Sequence, residues 1–150
     1  GFLRHLEYLA KRYPHLELYG VDITPQIIER AEELNNPRIR VFVDDVRNLE
    51  KYQDILKNAD LIFSYGIFAY LAPQDLKRVC DIIRRHFKGY VVYNDAAQKR
   101  DLSKLTESVK LSSQSYIHPY PAIFKKYGLE EMKSGYSPDK ESFNFVGKQK

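Results

Sequence analysis

Three groups of residues in this 150-residue chain have the types and the placement to do chemistry. Asp22 closes the apolar stretch LELYGVD, and within two residues Thr24 and Pro25 follow. These read as an N-cap hydroxyl and a proline at the first helical position, where its missing N–H costs nothing. Asp44 and Asp45 close a second such stretch, RIRVFVDD, and Ser64, Tyr65 and Gly66 close a third, DLIFSYG. The carboxyl end of a parallel strand is where open α/β sheets bind ligands. One acid there can accept hydrogen bonds from both hydroxyls of a ribose, and a second can accept from an adenine amino group. Neighbours such as Ile23, Val46 and Phe68 can hold a flat base. A lone acid at a strand end is also common as a turn residue, and Asp44 fits that plainer role better than Asp22. The ordered set is more specific than its parts.

The elements that must position these groups follow from the hydrophobic pattern. FLRHLEYLAKRY is a helix with Leu3, Leu6, Ala10 and Tyr13 near one stripe. TPQIIERAEELNNP is a second, stopped by Asn35, Asn36 and Pro37. LEKYQDILKNA reads as a helix or helical loop, and PQDLKRVCDIIRRHFKG as an amphipathic helix closed by Gly89. YVVYND is a fourth strand. Strands alternating with helices predict an α/β fold: a doubly wound, mostly parallel sheet with helices on both faces. Residues 96–118 are polar and weakly patterned, a possible lid or substrate-contact insertion. YPAIFKKYG is a short helix, and the segments flanking SPDK read as a C-terminal antiparallel β-hairpin. One domain spanning residues 1–150 is the expectation at this length.

Composition narrows the partners. There are 24 basic and 20 acidic groups, net +4, with no basic run resembling a nucleic-acid arm. A single cysteine, Cys80, excludes a disulfide framework and a cysteine-cluster zinc site. No apolar run approaches the length of a membrane span, and no secretory signal is evident, so a reducing cytoplasm is the expected compartment.

The segments LYGVDITPQIIERA, RIRVFVDDVRNL and ADLIFSYGIFAYL together resemble the class I S-adenosylmethionine-dependent methyltransferases. The resemblance runs from Gly1 to the final strand, SFNFVGK. Gly1 resembles the last glycine of that family's glycine-rich turn, so the family's first strand and its other glycines are expected to lie outside the sequence. The resemblance implies that Gly1 lies against the cofactor, that Asp22 binds the ribose hydroxyls and that Ile23 packs on the adenine. It implies that Asp45 takes the adenine amino group and the Val46 backbone N–H a ring nitrogen. Ser64 and Tyr65 would line the methionine side. Asp44 stands where many members carry a small residue, and the resemblance gives it no role.

Methyl transfer from a sulfonium is an in-line displacement that needs alignment more than a catalytic triad, and no triad is evident. Tyr70 and His118, the latter within SYIHPYP, are the candidate acceptor contacts; the plainer reading is that Tyr70 packs the lid and that His118 is an exposed or capping residue. FSYG departs from the Asn/Asp-Pro-Pro-aromatic motif of enzymes acting on exocyclic amines, and Cys80 lies on a helix's apolar stripe. Asn94 and Asp95 offer one of the two acidic positions used by metal-dependent members, but SYG offers no carboxylate at the other, so no metal is expected. What remains is O- or N-methylation of a small molecule, with a protein or RNA acceptor open. A nicotinamide-binding Rossmann oxidoreductase domain also places an acid after its second strand, and a non-catalytic methyltransferase-like binding module is the third reading.

Overall fold

The computed structural model describes residues 2–149. The chain forms two compact units, residues 1–49 and 50–150.

In the first unit, helix α1 (Phe2–Arg12) is followed by strand β1 (Leu18–Asp22), helix α2 (Gln26–Leu34) and strand β2 (Ile39–Val43). The stripe read from the sequence buries Leu3, Leu6 and Ala10 of α1, and Ile27 of α2 is buried too. Arg38 gathers the loose end of α1, donating to the carbonyls of Ala10, Leu16 and Tyr13 at 3.0, 3.3 and 3.4 Å. Carbonyls at a helix C-terminus have no intrahelical donor, and a guanidinium supplies several at once. Helix α2 stops as its asparagines predict, with Asn35 in the left-handed region at φ 43°. Its start differs from the expected N-cap. No side chain caps α2, and the Thr24 N–H instead donates to the Asp22 carboxylate at 2.9 Å. An acid two residues upstream closes this turn before the threonine hydroxyl is needed.

Strands β1 and β2 are parallel, in register from Leu18 opposite Ile39 to Asp22 opposite Val43. A 3₁₀ stretch, Val46–Tyr52, follows β2 and leads into helix α3 (Gln53–Asn58).

The second unit is built on a four-stranded sheet. Its strands are β3 (Leu61–Tyr65), β4 (Tyr90–Ala96), β7 (Leu129–Tyr136) and β8 (Ser142–Gln149), in the order β3-β4-β8-β7. Between β3 and β4 run a 3₁₀ turn, Phe68–Tyr70, and helix α4 (Pro73–His86). Residues 96–118 fold into a 3₁₀ turn, Leu102–Lys104, and the short hairpin β5 (Val109–Lys110) and β6 (Tyr116–Ile117). Helix α5 (Tyr120–Lys126) precedes β7. Leu76, Val79, Cys80 and Ile83 of α4 are buried, as are Tyr93, Phe124 and Phe145. Burial pushes the Cys80 thiol up to about 12, so it is an inert core residue at neutral pH.

Among the described residues the strands pair in three sheets and in both directions, where the pattern predicted one mostly parallel sheet with a C-terminal antiparallel hairpin. β1–β2 and β3–β4 are parallel, but β4–β8, β7–β8 and β5–β6 are antiparallel. The short SPDK connection turns the chain straight back, which only antiparallel neighbours allow. Gly89 also differs from its expected role. Helix α4 ends at His86 with Phe87 extended, and a Cβ on Gly89 would stand 2.4 Å from the Asp60 carbonyl oxygen. The glycine is there for close approach of backbones, not as a left-handed cap.

Candidate cofactor site

The carboxyl ends of β1 and β2 lie side by side. The Asp22 carbonyl accepts the Asp44 N–H at 3.0 Å, so the parallel ladder continues one step past β2 and brings both strand ends to one edge. Beyond its bond to Thr24 N–H, the Asp22 carboxylate has a second oxygen that joins no hydrogen bond or ion pair among the described residues. Ile23 beside it is 67% exposed, an isolated apolar surface at the same edge.

Asp44 and Asp45 do different work. Asp44 is a local brace: its Oδ1 accepts the Asp45 N–H at 2.8 Å and the Asn48 side-chain amide at 2.7 Å. Asp45 holds Arg47 through both oxygens, taking Nε at 2.9 Å and the backbone N–H at 2.8 Å on Oδ1, and Nη2 at 2.5 Å on Oδ2. The Arg47 side chain holds the Asp45 carboxyl below its ordinary range, against a smaller upward push from burial. An ionised carboxylate has about four lone-pair sites, so Oδ2 keeps acceptor capacity. The Val46 N–H, at the first position of the 3₁₀ stretch, takes part in none of these bonds.

In the second unit, Ser64 and Tyr65 end β3, and Gly66 makes the turn at φ 67°. The Ser64 hydroxyl oxygen is buried with no hydrogen-bond partner among the described residues, and Tyr65 is exposed. Tyr70 stands 67% exposed on the 3₁₀ turn. Phe68 is not offered to a base: it is buried and packs on Tyr93 at 5.3 Å between ring centroids. His118 is fully buried, its Nε2 3.1 Å from the Leu71 carbonyl and its Nδ1 2.7 Å from the Ser108 hydroxyl. The carbonyl can only accept, so Nε2 carries the proton and Nδ1 accepts from Ser108. Gly1 lies outside the described residues.

Comparison with known proteins decides the family. Residues 1–89, more than half of the chain, match the methyltransferase domain family. The chain belongs to that family. It is a methyltransferase, an enzyme that moves a methyl group to an acceptor, as that family does. No curated protein matches it.

Solved structures share the methyltransferase fold at low identity. An S-adenosylmethionine-dependent methyltransferase from Clostridium acetobutylicum is 14% identical, with a TM-score of 0.67 over 95% of this chain and 78% of the other. The N-methyltransferase NodS from Bradyrhizobium japonicum, in complex with S-adenosyl-L-homocysteine, is 16% identical, with a TM-score of 0.60 over 95% and 71%. The 1,6-didemethyltoxoflavin-N1-methyltransferase of Burkholderia thailandensis, with that compound and S-adenosylhomocysteine bound, is 10% identical, with a TM-score of 0.66 over 95% and 75%.

Within the first unit, Asp22 has a spare carboxylate oxygen and Val46 an N–H without a partner among the described residues, the kinds of group a nucleoside takes. Two side-chain arrangements, the Arg47 pairing and the burial of Asp95, escaped the sequence reading. Arg47 is the partner of Asp45, signalled only by its spacing of two residues. Asp95 is 3% exposed and accepts the Ala69 N–H at 3.0 Å and the Ala96 N–H at 2.9 Å. Strand alternation carries the missed signal, since Val91, Tyr93 and Asp95 share the buried face of β4. Among the described residues, no group of three His, Cys, Asp or Glu side chains is placed to hold a metal, and no helix is long and apolar enough to cross a membrane.

Proposed function

We propose that this methyltransferase holds the nucleoside of its donor through Asp22, Ile23, Asp45 and Val46, and methylates a small molecule on oxygen or nitrogen. In this reading Asp22 accepts from the ribose hydroxyls and Ile23 lies against the base. Asp45 accepts from the adenine amino group through Oδ2, while the Val46 N–H donates to a ring nitrogen. The observation that carries the assignment is the spare oxygen of Asp22 beside the exposed Ile23, on the edge that Asp45 and Val46 share. Ser64 and Tyr65 are assigned to the methionine portion, supported by the unpartnered Ser64 hydroxyl, and Gly1 to close approach of backbone and donor.

S-adenosylmethionine, when bound, supplies a methyl group on a sulfonium that already drives the transfer. The chain has only to align the acceptor and exclude water, which can contribute roughly 7–11 kcal/mol in well-oriented cases. A general base is needed only for an acceptor that arrives protonated, and no residue is assigned that role.

The small-molecule reading is supported by the inert Cys80 and by the strand end FSYG, which lacks the Asn/Asp-Pro-Pro-aromatic sequence. Among proteins of the same fold, the toxoflavin enzyme carries a small heterocycle beside its cofactor product. Tyr70, exposed beyond the β3 end, is assigned to contact with the acceptor. His118 is not, because its burial and its two hydrogen bonds leave neither nitrogen for a substrate. The reading is tested by titration calorimetry with S-adenosylhomocysteine on the wild-type protein and on Asp22→Ala. Saturable binding that the variant loses supports it, and equal affinity for both overturns the ribose assignment.

A further inference from the structure

The short segment from Gly66 to Leu71 is tied down from three directions within the second unit. Its first N–H, on Gly66, donates to the Asn94 carbonyl at 2.9 Å. The Ala69 N–H donates to Asp95 Oδ2 at 3.0 Å, and the Leu71 carbonyl accepts from His118 Nε2 at 3.1 Å. Two of these tethers are side chains of ionisable residues, 3% and 0% exposed, reaching in from β4 and from the chain just before α5. Burying such groups is costly unless each is hydrogen-bonded, and here each is. Between the two tethers lies Tyr70, the one strongly exposed ring of the turn.

The setting of the tethers limits their freedom. Tyr120 contacts His118 edge-on with centroids 5.4 Å apart, and Tyr116 stacks on it at 5.7 Å. Tyr93, against Tyr120 at 4.7 Å, completes a buried aromatic wall that also touches Phe68 of the turn. With the tautomer set by the Leu71 carbonyl, Ser108, at the base of the β5–β6 hairpin, donates to Nδ1. Burial is the main influence that keeps His118 neutral, holding its pKa below the ordinary value.

We propose that Asp95 and His118 are positioning residues that hold the turn Phe68–Tyr70 from beneath and fix how Tyr70 is presented to the methyl acceptor. The acceptor half of this statement rests on the function proposed above. The clamp itself rests on the three hydrogen bonds. Packing alone and the clamp make opposite demands at position 118. A phenyl ring fills the space of an imidazole but donates nothing, whereas a glutamine amide fills it less well and can still donate to the Leu71 carbonyl.

The chain has no tryptophan, so Tyr70→Trp gives a single reporter on the turn. In that background, acrylamide quenching and fluorescence anisotropy are compared for His118, His118→Phe and His118→Gln. The clamp predicts that the phenylalanine variant lowers the anisotropy and roughly doubles the quenching constant, as the turn gains fast motion, and that glutamine restores most of both. A phenylalanine variant equal to the parent, or glutamine worse than phenylalanine, overturns it. Should His118→Phe fail to fold, His118→Leu replaces it: a side chain of similar volume with no donor must loosen the reporter, and an unchanged signal overturns the clamp. Calorimetry with S-adenosylhomocysteine on the wild-type protein separates the two layers. Absence of binding removes the acceptor role of Tyr70 whatever the fluorescence shows, while binding with an unaltered reporter removes the clamp alone.

Discussion

The carbonyl oxygen of Asp22 accepts the N–H of Asp44 at 3.0 Å, one step beyond the paired residues of β1 and β2. That bond fixes the relative height of the two strand ends. The acid ending β1 and the Asp44-Asp45 pair following β2 therefore belong to one edge, as a common nucleoside site requires. Asp44 braces the turn through its own carboxylate, and Asp45 is the member of the pair that the proposed function assigns to the ligand.

Asp22→Ala is expected to weaken S-adenosylhomocysteine binding by at least tenfold, about 1.4 kcal/mol, because a ribose loses its charged acceptor. The same substitution removes the acceptor of the Thr24 N–H, so part of any loss could come from the turn. Asp22→Asn separates the two effects. Its amide oxygen keeps the Thr24 bond but the side chain no longer offers a second acceptor, so it should bind nearly as poorly as alanine in calorimetry while matching wild type in thermal unfolding.

At Gly89 the test is of packing. A methyl group there meets the Asp60 carbonyl oxygen at 2.4 Å and the Phe87 ring at 2.7 Å. The Asp60 carbonyl is itself engaged, accepting the Tyr90 N–H at 2.9 Å at the start of the β3–β4 pairing. Neither neighbour can yield cheaply, and Gly89→Ala should cost about 2 kcal/mol or more. Urea unfolding measures it, and a variant within 0.5 kcal/mol of wild type, about the scatter of a neutral surface change, would sink the close-approach account.

What could be read from the chain in advance divides along physical lines. Strand ends were legible because an apolar run closed by Asp22, Asp45 or Ser64 is a local pattern, and helix α2 announced its own stop with Asn35 and Pro37. His118 was misplaced for the opposite reason. The segment SYIHPYP is polar enough to read as surface, and only the packing of Tyr116, Tyr120 and Leu71 around the ring makes it interior. Asp95 was visible as an acid at a strand end, but its burial was hidden by its chemistry. A carboxylate on the buried face of a strand contradicts composition rules, and its partner, the Ala69 N–H, is 26 residues away. The β7–β8 hairpin was legible around SPDK, but the antiparallel pairing of β8 with β4 depends on β8 returning between β4 and β7, which no local periodicity encodes.

His118 should make stability fall in mild acid. Its folded pKa lies below the ordinary 6.5, chiefly through burial. Above 6.5 neither the folded nor the unfolded chain carries the proton. As the pH drops below that value the unfolded chain takes one up first, so stability is lost from there down to the folded pKa. Asp95 has the opposite sign: burial raises its folded pKa above 3.8, so its contribution is lost as pH rises through that value. In His118→Gln the histidine part vanishes. The stability gap between wild type and variant should therefore narrow between about pH 7.5 and about pH 5.5 in urea unfolding. A constant gap would show that the imidazole charges as easily folded as unfolded.

Lys140 sits at φ 61°, in the turn that joins β7 to β8. Its N–H donates to the Ser137 carbonyl at 2.8 Å, and Ser137 in turn donates its N–H to Ser142 at 3.0 Å. The turn thus demands a left-handed residue where a Cβ is unfavourable by roughly 1–2 kcal/mol. Lys140→Gly relieves that strain but frees the unfolded chain, leaving a net gain of about 0.5 kcal/mol, or a rise in melting temperature of roughly 1–2 °C. Lys140→Val, β-branched, should fall below wild type. Calorimetric melting in the order Gly, Lys, Val is the expected result, and the reverse order would refute a strained hairpin.

Asp45 gives the sharpest chemical test of the nucleoside assignment. Its folded pKa is depressed, mainly by the Arg47 side chain, so the carboxylate persists below its ordinary 3.8 and is lost only as pH falls through the lower folded value. It is thus ionised at neutral pH with one oxygen still able to accept from an adenine amino group. Replacing that amino group by the oxo group of inosine turns a donor into an acceptor facing a carboxylate. Wild type should bind inosine-substituted S-adenosylhomocysteine at least tenfold more weakly than the adenine form, while Asp45→Ala should discriminate little. Arg47→Ala should leave the preference for adenine in place, since it removes a competitor for Oδ2 and not the acceptor. Equal discrimination by wild type and Asp45→Ala in calorimetry would move the adenine contact to some other residue.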